Sequence, residues 1–290
     1  MSVPAAPQRP IPILSSIAGL APQRDVWLTD VWGVIHNGVS PFTAACEACT
    51  RFRLGGGTVV LLSNAPRPAA SVAAQLDRIG VPRFAWDAIL TSGDAARALV
   101  GAYAGKRVFP LGPERDLPLY EGLGVTLVEA PSEADAVSCT GLYDDEIETP
   151  DDYAALLAEL AERRVPMICA NPDLTVERGT KIVYCAGALA ADYAARGGSV
   201  AYAGKPYLPI YDMAFEMVGT LRGKPVTRER ILCIGDGIRT DIKGAAVAGL
   251  DSVFIASGVH VQDALTSEAL VDLFADIDTP PVAAMPTLAW

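Results

Sequence analysis

Residues 26–33 read Val26-Trp27-Leu28-Thr29-Asp30-Val31-Trp32-Gly33. The run Val26–Val31 is the near-continuous apolar stretch of a strand covered on both faces, and Gly33 supplies the turn that follows. Asp30 therefore sits at the carboxyl end of a buried strand, where ligand sites of open α/β sheets gather. An aspartate there can be a ligand, a nucleophile or a turn cap, and on its own it is most often a cap.

The same grammar repeats outward. Val59–Ser63, Lys106–Leu111, Ala136–Cys139, Val165–Ala170, Arg230–Ile234 and Ser252–Ile255 read as further strands. Between them, Pro41–Leu54, Pro68–Ile79, Pro150–Arg163, Gly187–Arg196 and Asp241–Ala248 carry helical patterns. Several have glycine stops: Gly55, Gly80 and Gly249. Alternating strands and helices predict an α/β fold with a parallel sheet. The β/α pattern restarts in the middle of the chain, with Phe84–Ile89 and Gly197-Gly198-Ser199 as candidate hinges. The expected division is a core from 1–84 and 199–290 interrupted by a second α/β domain, 85–198.

Composition narrows the function classes. The chain has 290 residues, with 23 Lys+Arg against 34 Asp+Glu, a formal net charge of −11. That field argues against nucleic acid or an anionic membrane as partner, since both demand a basic footprint. A small phosphorylated molecule remains compatible, because local donors decide its binding. No apolar run approaches the roughly 18 residues of a membrane span, and the N-terminus lacks a signal-peptide pattern. Cys46 and Cys49 form a CxxC, but no second pair accompanies them and histidine occurs only at 36 and 260. Their spacing within a predicted helix puts two small side chains on one buried face. Scattered apolar cysteines predict a reducing, cytoplasmic setting.

Three more strand ends carry polar groups. Val59–Ser63 ends in Ser63-Asn64, Ala201–Gly204 leads into Lys205, and Arg230–Ile234 ends in Gly235-Asp236 with Asp241 five residues on. Carboxylates, an ammonium, a hydroxyl and a carboxamide together suit Mg²⁺ plus a phosphoryl group. Mg²⁺ takes few carboxylates and shares ligands with phosphate, while the lysine balances phosphoryl charge.

The order Asp30…Gly33, Ser63-Asn64, Gly204-Lys205-Pro206, Gly235-Asp236-x4-Asp241 resembles the four motifs of the haloacid-dehalogenase superfamily. Ile89-Leu90-Thr91-Ser92, Thr140-Gly141-Leu142 and Ala170-Asn171-Pro172-Asp173 are similar to marks of its class IIA cap, found in sugar-phosphate, nucleotide and 4-nitrophenyl phosphatases. The resemblance spans roughly Val26 to His260. It implies a Rossmann-like core with a cap inserted after the second motif. Asp30 would be the nucleophile forming an aspartyl-phosphate, with Ser63, Asn64 and Lys205 holding the phosphoryl group. Asp30, Asp236 and the Trp32 backbone carbonyl would ligate Mg²⁺, and Asp241 would bind it through water or orient Lys205. Asn171 and Asp173 would be the cap residues nearest the site, and a homodimer through the cap is implied by the resemblance alone.

One position departs. Phosphatase members carry a second Asp two residues after the nucleophile, which protonates the leaving alkoxide; here it is Trp32, whose indole N–H only donates. His36, His260, Asp173 and Asp144 are the candidates to replace it. Two readings remain: a Mg²⁺-dependent phosphatase of a small metabolite, or a phosphate- and Mg²⁺-binding regulatory protein of low turnover. Dehalogenation at Asp30 is a third, disfavoured by Asp236 and Asp241, since it needs no metal.

Overall fold

In a computed structural model, the described residues are 10–178, 181–256 and 265–290. Their strands are β1 (Val26–Thr29), β2 (Thr58–Ser63), β3 (Ala88–Thr91), β4 (Arg107–Leu111), β5 (Thr126–Leu127), β6 (Ala136–Cys139) and β7 (Met167–Cys169), then β8 (Thr175–Arg178), β9 (Lys181–Tyr184), β10 (Val200–Tyr202), β11 (Ile231–Gly235), β12 (Asp251–Ile255) and β13 (Ala283–Met285). The α-helices are α1 (Thr43–Leu54), α2 (Ala69–Ile79), α3 (Ser92–Gly101), α4 (Ala154–Glu162), α5 (Ala186–Ala195), α6 (Leu208–Arg222), α7 (Lys243–Ala248) and α8 (Ser267–Leu273).

Two parallel sheets form. The first runs β13-β12-β11-β1-β2-β3 and the second β10-β7-β6-β4-β5. β8 and β9 make a separate antiparallel hairpin that the sequence reading did not anticipate.

The period of two along each strand decides which face packs where. In the first sheet, Trp27, Val59, Leu61, Leu232 and Ile234 bury against α1 and α2; the Trp27 and Phe52 rings stack at 4.0 Å. Cys46 and Cys49 both lie in this layer as free thiols, and burial pushes the Cys46 thiol up to about 11. Val26, Leu28, Val60 and Leu62 face the other way, onto α3 and α6. In the second sheet, Val108, Ala136 and Ile168 join that same cluster, while Phe109, Val137, Met167 and Cys169 bury against α4 and α5. A layer of helices is thus shared by two sheets, and one apolar cluster runs through both.

The sheets divide the chain differently from the expected boundaries. β3, placed in the inserted domain at 85–198, pairs with β2 in the first sheet, with Ser63 opposite Thr91. Its Ile89-Leu90-Thr91-Ser92 stretch thus belongs to the core rather than the cap. β10, assigned to the returning core at 199, pairs with β7 in the second sheet. Strand identity at an edge depends on which backbone offers free hydrogen-bonding groups, and composition does not record that.

Candidate active site

Register places the first carboxylate. β1 lies between β11 and β2, with Thr29 opposite Ile234 and Leu61. The next residue, Asp30, donates its N–H to the Ile234 carbonyl at 2.7 Å. Its side chain therefore emerges between the ends of β2 and β11, beside Ser63 and Asp236. Both sheets turn the carboxyl ends of their strands toward one cleft of about 810 Å³. Asp30, Ser63, Asn64 and Asp236 reach it from the first sheet; Arg115, Asp116, Thr140, Asn171 and Asp173 reach it from β4, β6 and β7.

Lys205 follows β10 on the return between sheets. Its buried Nζ donates to Asp30 Oδ1 at 2.5 Å, Asp241 Oδ1 at 2.7 Å and the Leu62 carbonyl at 2.9 Å. Gly204 permits this approach, because a Cβ there would fall 2.5 Å from Asn64 Oδ1 and 2.6 Å from Ser92 Oγ. Burial opposes charge on Lys205, yet the two carboxylates prevail and hold its ammonium above the ordinary lysine range.

Asn64 has a different task from the expected one. Its Oδ1 accepts from Lys205 N at 2.8 Å, and its Nδ2 donates to the Lys205 carbonyl at 3.1 Å and to Asp173 Oδ1 at 2.9 Å. A primary amide has two donor protons, so this carboxamide is committed to clamping the lysine loop rather than gripping a phosphoryl oxygen. Ser63 Oγ accepts from Ala65 N at 3.2 Å, a turn-forming bond, and still lines the cleft.

One oxygen from each of Asp30, Asp236 and Asp241 lies within 4.8 Å of the others. Gly33, at φ +81°, makes room for Asp236: an added Cβ would stand 2.0 Å from its Oδ2. Asp241 Oδ2 accepts from Gly237 N at 3.0 Å. Burial pushes Asp236 up to about 8, helped by the Asp30 and Asp241 charges, and Asp241 up to about 6. Burial also raises Asp30, against the pull of Lys205. Three crowded carboxylates with one ammonium carry excess negative charge, and an all-oxygen donor set of this kind fits a hard divalent cation.

The remaining candidates separate. Asn171 Oδ1 accepts from Asp173 N at 3.1 Å, and both residues line the cleft. His36 does not line it. The ring is buried at 2% exposure, its Nδ1 accepts from Gly38 N at 2.8 Å, and desolvation lowers it to about 4. A buried neutral imidazole that meets the Trp32 ring edge-on and does not line the cleft cannot touch substrate, so the expected role of His36 at the substrate is corrected to a structural one. Asp144 lies in a turn, its Oδ1 accepting from Glu146 N at 3.0 Å, whereas its neighbour Asp145 lines the cleft. His260 lies outside the described residues.

Sequence reasoning missed Arg67, Arg115 and Asp116. Arg115 bridges Asp145 at 2.8 Å. Asp116 is 5% exposed, its Oδ1 has no hydrogen-bond partner, and burial raises its carboxyl despite Thr140, Arg115 and Arg67. The available signal was positional: Gly112-Pro113 directly follows β4, the strand end where ligand loops form.

A doubly covered parallel sheet, a strand-end Asp30 and a lysine bridging two carboxylates define a haloacid dehalogenase-like hydrolase, and the chain belongs to that family. The family profile for haloacid dehalogenase-like hydrolases matches residues 27–126, and a HAD-hydrolase-like profile matches 202–277. A crystal structure of a haloacid dehalogenase-like hydrolase from Brucella suis is 45% identical, with TM-score 0.85, covering 95% of this chain and 100% of that one. The D-glycerol 3-phosphate phosphatase of Mycobacterium tuberculosis is 29% identical over 247 residues, 83% of this chain. The match spans 65% of that relative's length, just under two thirds. A glycerol phosphate phosphatase structure from the same organism, in complex with calcium, aligns with TM-score 0.65 and 25% identity, over 83% of this chain and 68% of that one. Among the described residues no helix is long and apolar enough to cross a membrane.

Proposed function

We propose that the chain is a Mg²⁺-dependent phosphatase of a small phosphorylated metabolite, working through an aspartyl-phosphate on Asp30. The observation that carries this reading is the Asp30–Lys205 contact at 2.5 Å inside the three-carboxylate cluster. The related phosphatase names support the substrate class. Six free, buried cysteines support a cytoplasmic setting.

Asp30, Asp236 and Asp241 are the groups that would hold the cation, joined by the Trp32 carbonyl that the family resemblance implies. Bound there, Mg²⁺ offsets the carboxylate charge and polarises the phosphoryl oxygens. Lys205 favours the ionised form of Asp30 against the effect of burial and steadies the incoming phosphoryl charge. Asp30 attacks phosphorus through one carboxylate oxygen; the ester P–O bond breaks, and the electron pair leaves on the alcohol oxygen. Water then attacks the phosphorus of the mixed anhydride, which returns the Asp30 carboxylate and releases phosphate. Asn64 and Asp173 hold the lysine loop in register throughout.

At Trp32 no carboxyl stands ready to protonate the departing oxygen. That favours aryl and acyl phosphates, whose leaving groups depart as stable anions. It also sustains a second reading, a phosphate-binding protein of low turnover. Phosphate release from 4-nitrophenyl phosphate and from a panel of phosphorylated metabolites separates the two. Mg²⁺-dependent turnover that Asp30→Asn abolishes supports the enzyme; binding without turnover supports the second reading.

A further inference from the structure

Trp32 is 38% exposed, although it is large and apolar, and it lines the cleft that holds Asp30. The ring is braced. A Cβ on Gly38, which sits at φ +88°, would come within 2.4 Å of Trp32 Cη2, so only glycine leaves room for this placement. The His36 ring meets the indole edge-on, with centroids 5.3 Å apart and planes at 75°. His36 is fixed in turn, since Nδ1 accepts from Gly38 N at 2.8 Å and its carbonyl accepts from Gly33 N at 2.9 Å.

Trp32 follows Asp30 by two residues and lines the same cleft, and the resemblance assigns that position to the leaving-group side. We infer that Trp32 is a stacking platform for the leaving group, and that the substrate's leaving group carries a ring whose face lies on the indole. This rests on the phosphatase reading above. Three further apolar side chains, Leu142, Ile182 and Tyr184, line the same cleft, and Ile182 and Tyr184 are 69% and 41% exposed. Apolar surface left open in a cleft is a mark of ligand contact. A ring gains offset or edge contact with indole and loses few rotors on binding, whereas an open chain of equal carbon number must order each bond. Aromatic rings and saturated sugar-like rings share this face chemistry.

The test is calorimetric binding to Asp30→Asn protein in a large excess of Mg²⁺, which compensates for the lost ligand, and in this variant bound esters stay intact. The probes are phenyl, cyclohexyl and n-hexyl phosphate, six carbons each, with inorganic phosphate as reference. At least one ring ester is expected to bind about tenfold tighter than the hexyl ester, by the usual scale of ring stacking. The ester that gains identifies an aromatic or a saturated ring. Trp32→Leu in the same background should erase the advantage and Trp32→Phe should retain most of it, with thermal unfolding confirming that each variant folds. Equal binding of ring and chain, or an advantage that survives Trp32→Leu, overturns the platform. If inorganic phosphate binds and the wild-type protein turns over 4-nitrophenyl phosphate, that failure belongs to the platform alone. If no phosphate compound binds and none is hydrolysed, the phosphatase reading falls and the platform falls with it.

Discussion

Asn64 and Asp173 join the two sheets at the floor of the cleft, Asn64 Nδ2 donating to Asp173 Oδ1 at 2.9 Å. Asn64 follows β2 of the first sheet and Asp173 follows β7 of the second, so a loop from each sheet meets where Lys205 is clamped. Asp173→Ala removes the acceptor and leaves a buried amide proton unpaired. The expected cost is about 1–3 kcal/mol in stability. kcat/KM should fall as well, because the Lys205 loop loosens. Urea unfolding alongside steady-state kinetics measures both, and a variant as stable and active as wild type refutes the clamp.

Gly33→Ala tests the cradle around Asp236. The new Cβ would lie 2.0 Å from Asp236 Oδ2, and the backbone is at φ +81°. Strain at such a position is about 1 kcal/mol or more before any clash is counted. Displacing Asp236 should weaken Mg²⁺ binding at least tenfold by calorimetry. Undiminished Mg²⁺ affinity would remove Asp236 from the ligand set.

His36 gives the protein a pH dependence of known sign. Its folded value, about 4, lies below the ordinary 6.5. The unfolded chain therefore binds more protons between those limits, and stability present above pH 6.5 is lost as pH falls toward 4. The difference corresponds to roughly 3 kcal/mol at most. His36→Asn keeps an acceptor for the Gly38 N–H and does not titrate, so its unfolding free energy should vary less across this window. Equal slopes for the two proteins would show that other groups carry the acid sensitivity.

Trp32→Asp restores a carboxyl on the leaving-group side. Alkyl phosphomonoester turnover should rise by about 10²–10⁴-fold, the usual worth of a general acid. Aryl phosphates, which need little protonation, should gain far less. A uniform rise across both classes would point to relief of steric blockage by the indole instead.

Local features of the sequence carried the fold class and most of the chemistry. Val26–Val31 reads as a strand because its neighbours in sequence are apolar, and Asp30, Asp236 and Lys205 stand out because they interrupt such runs at strand ends. Their convergence follows from parallel topology, which brings all carboxyl ends to one edge. What the sequence left open was decided over long separations. The expected boundaries at 84/85 and 198/199 put β3 on the cap side and β10 on the core side, whereas the sheets pair them the other way, because pairing depends on which edge offers free backbone groups. Ser63 and Asn64 were legible as polar strand-end residues. Only the tertiary structure reveals that Asn64 spends its amide on Lys205, 141 residues away. A lone histidine near a nucleophile invites a catalytic reading, whereas His36 is buried in a turn where its Nδ1 accepts from Gly38 N. Nothing local in the sequence marks Arg115 and Asp116; the second sheet brings them into the cleft at the end of β4. Sequence determined the local conformations and the kinds of groups at strand ends; only the packing of two sheets on a shared helical layer decided which of those groups meet, because burial and hydrogen-bond partners are properties of the assembled chain.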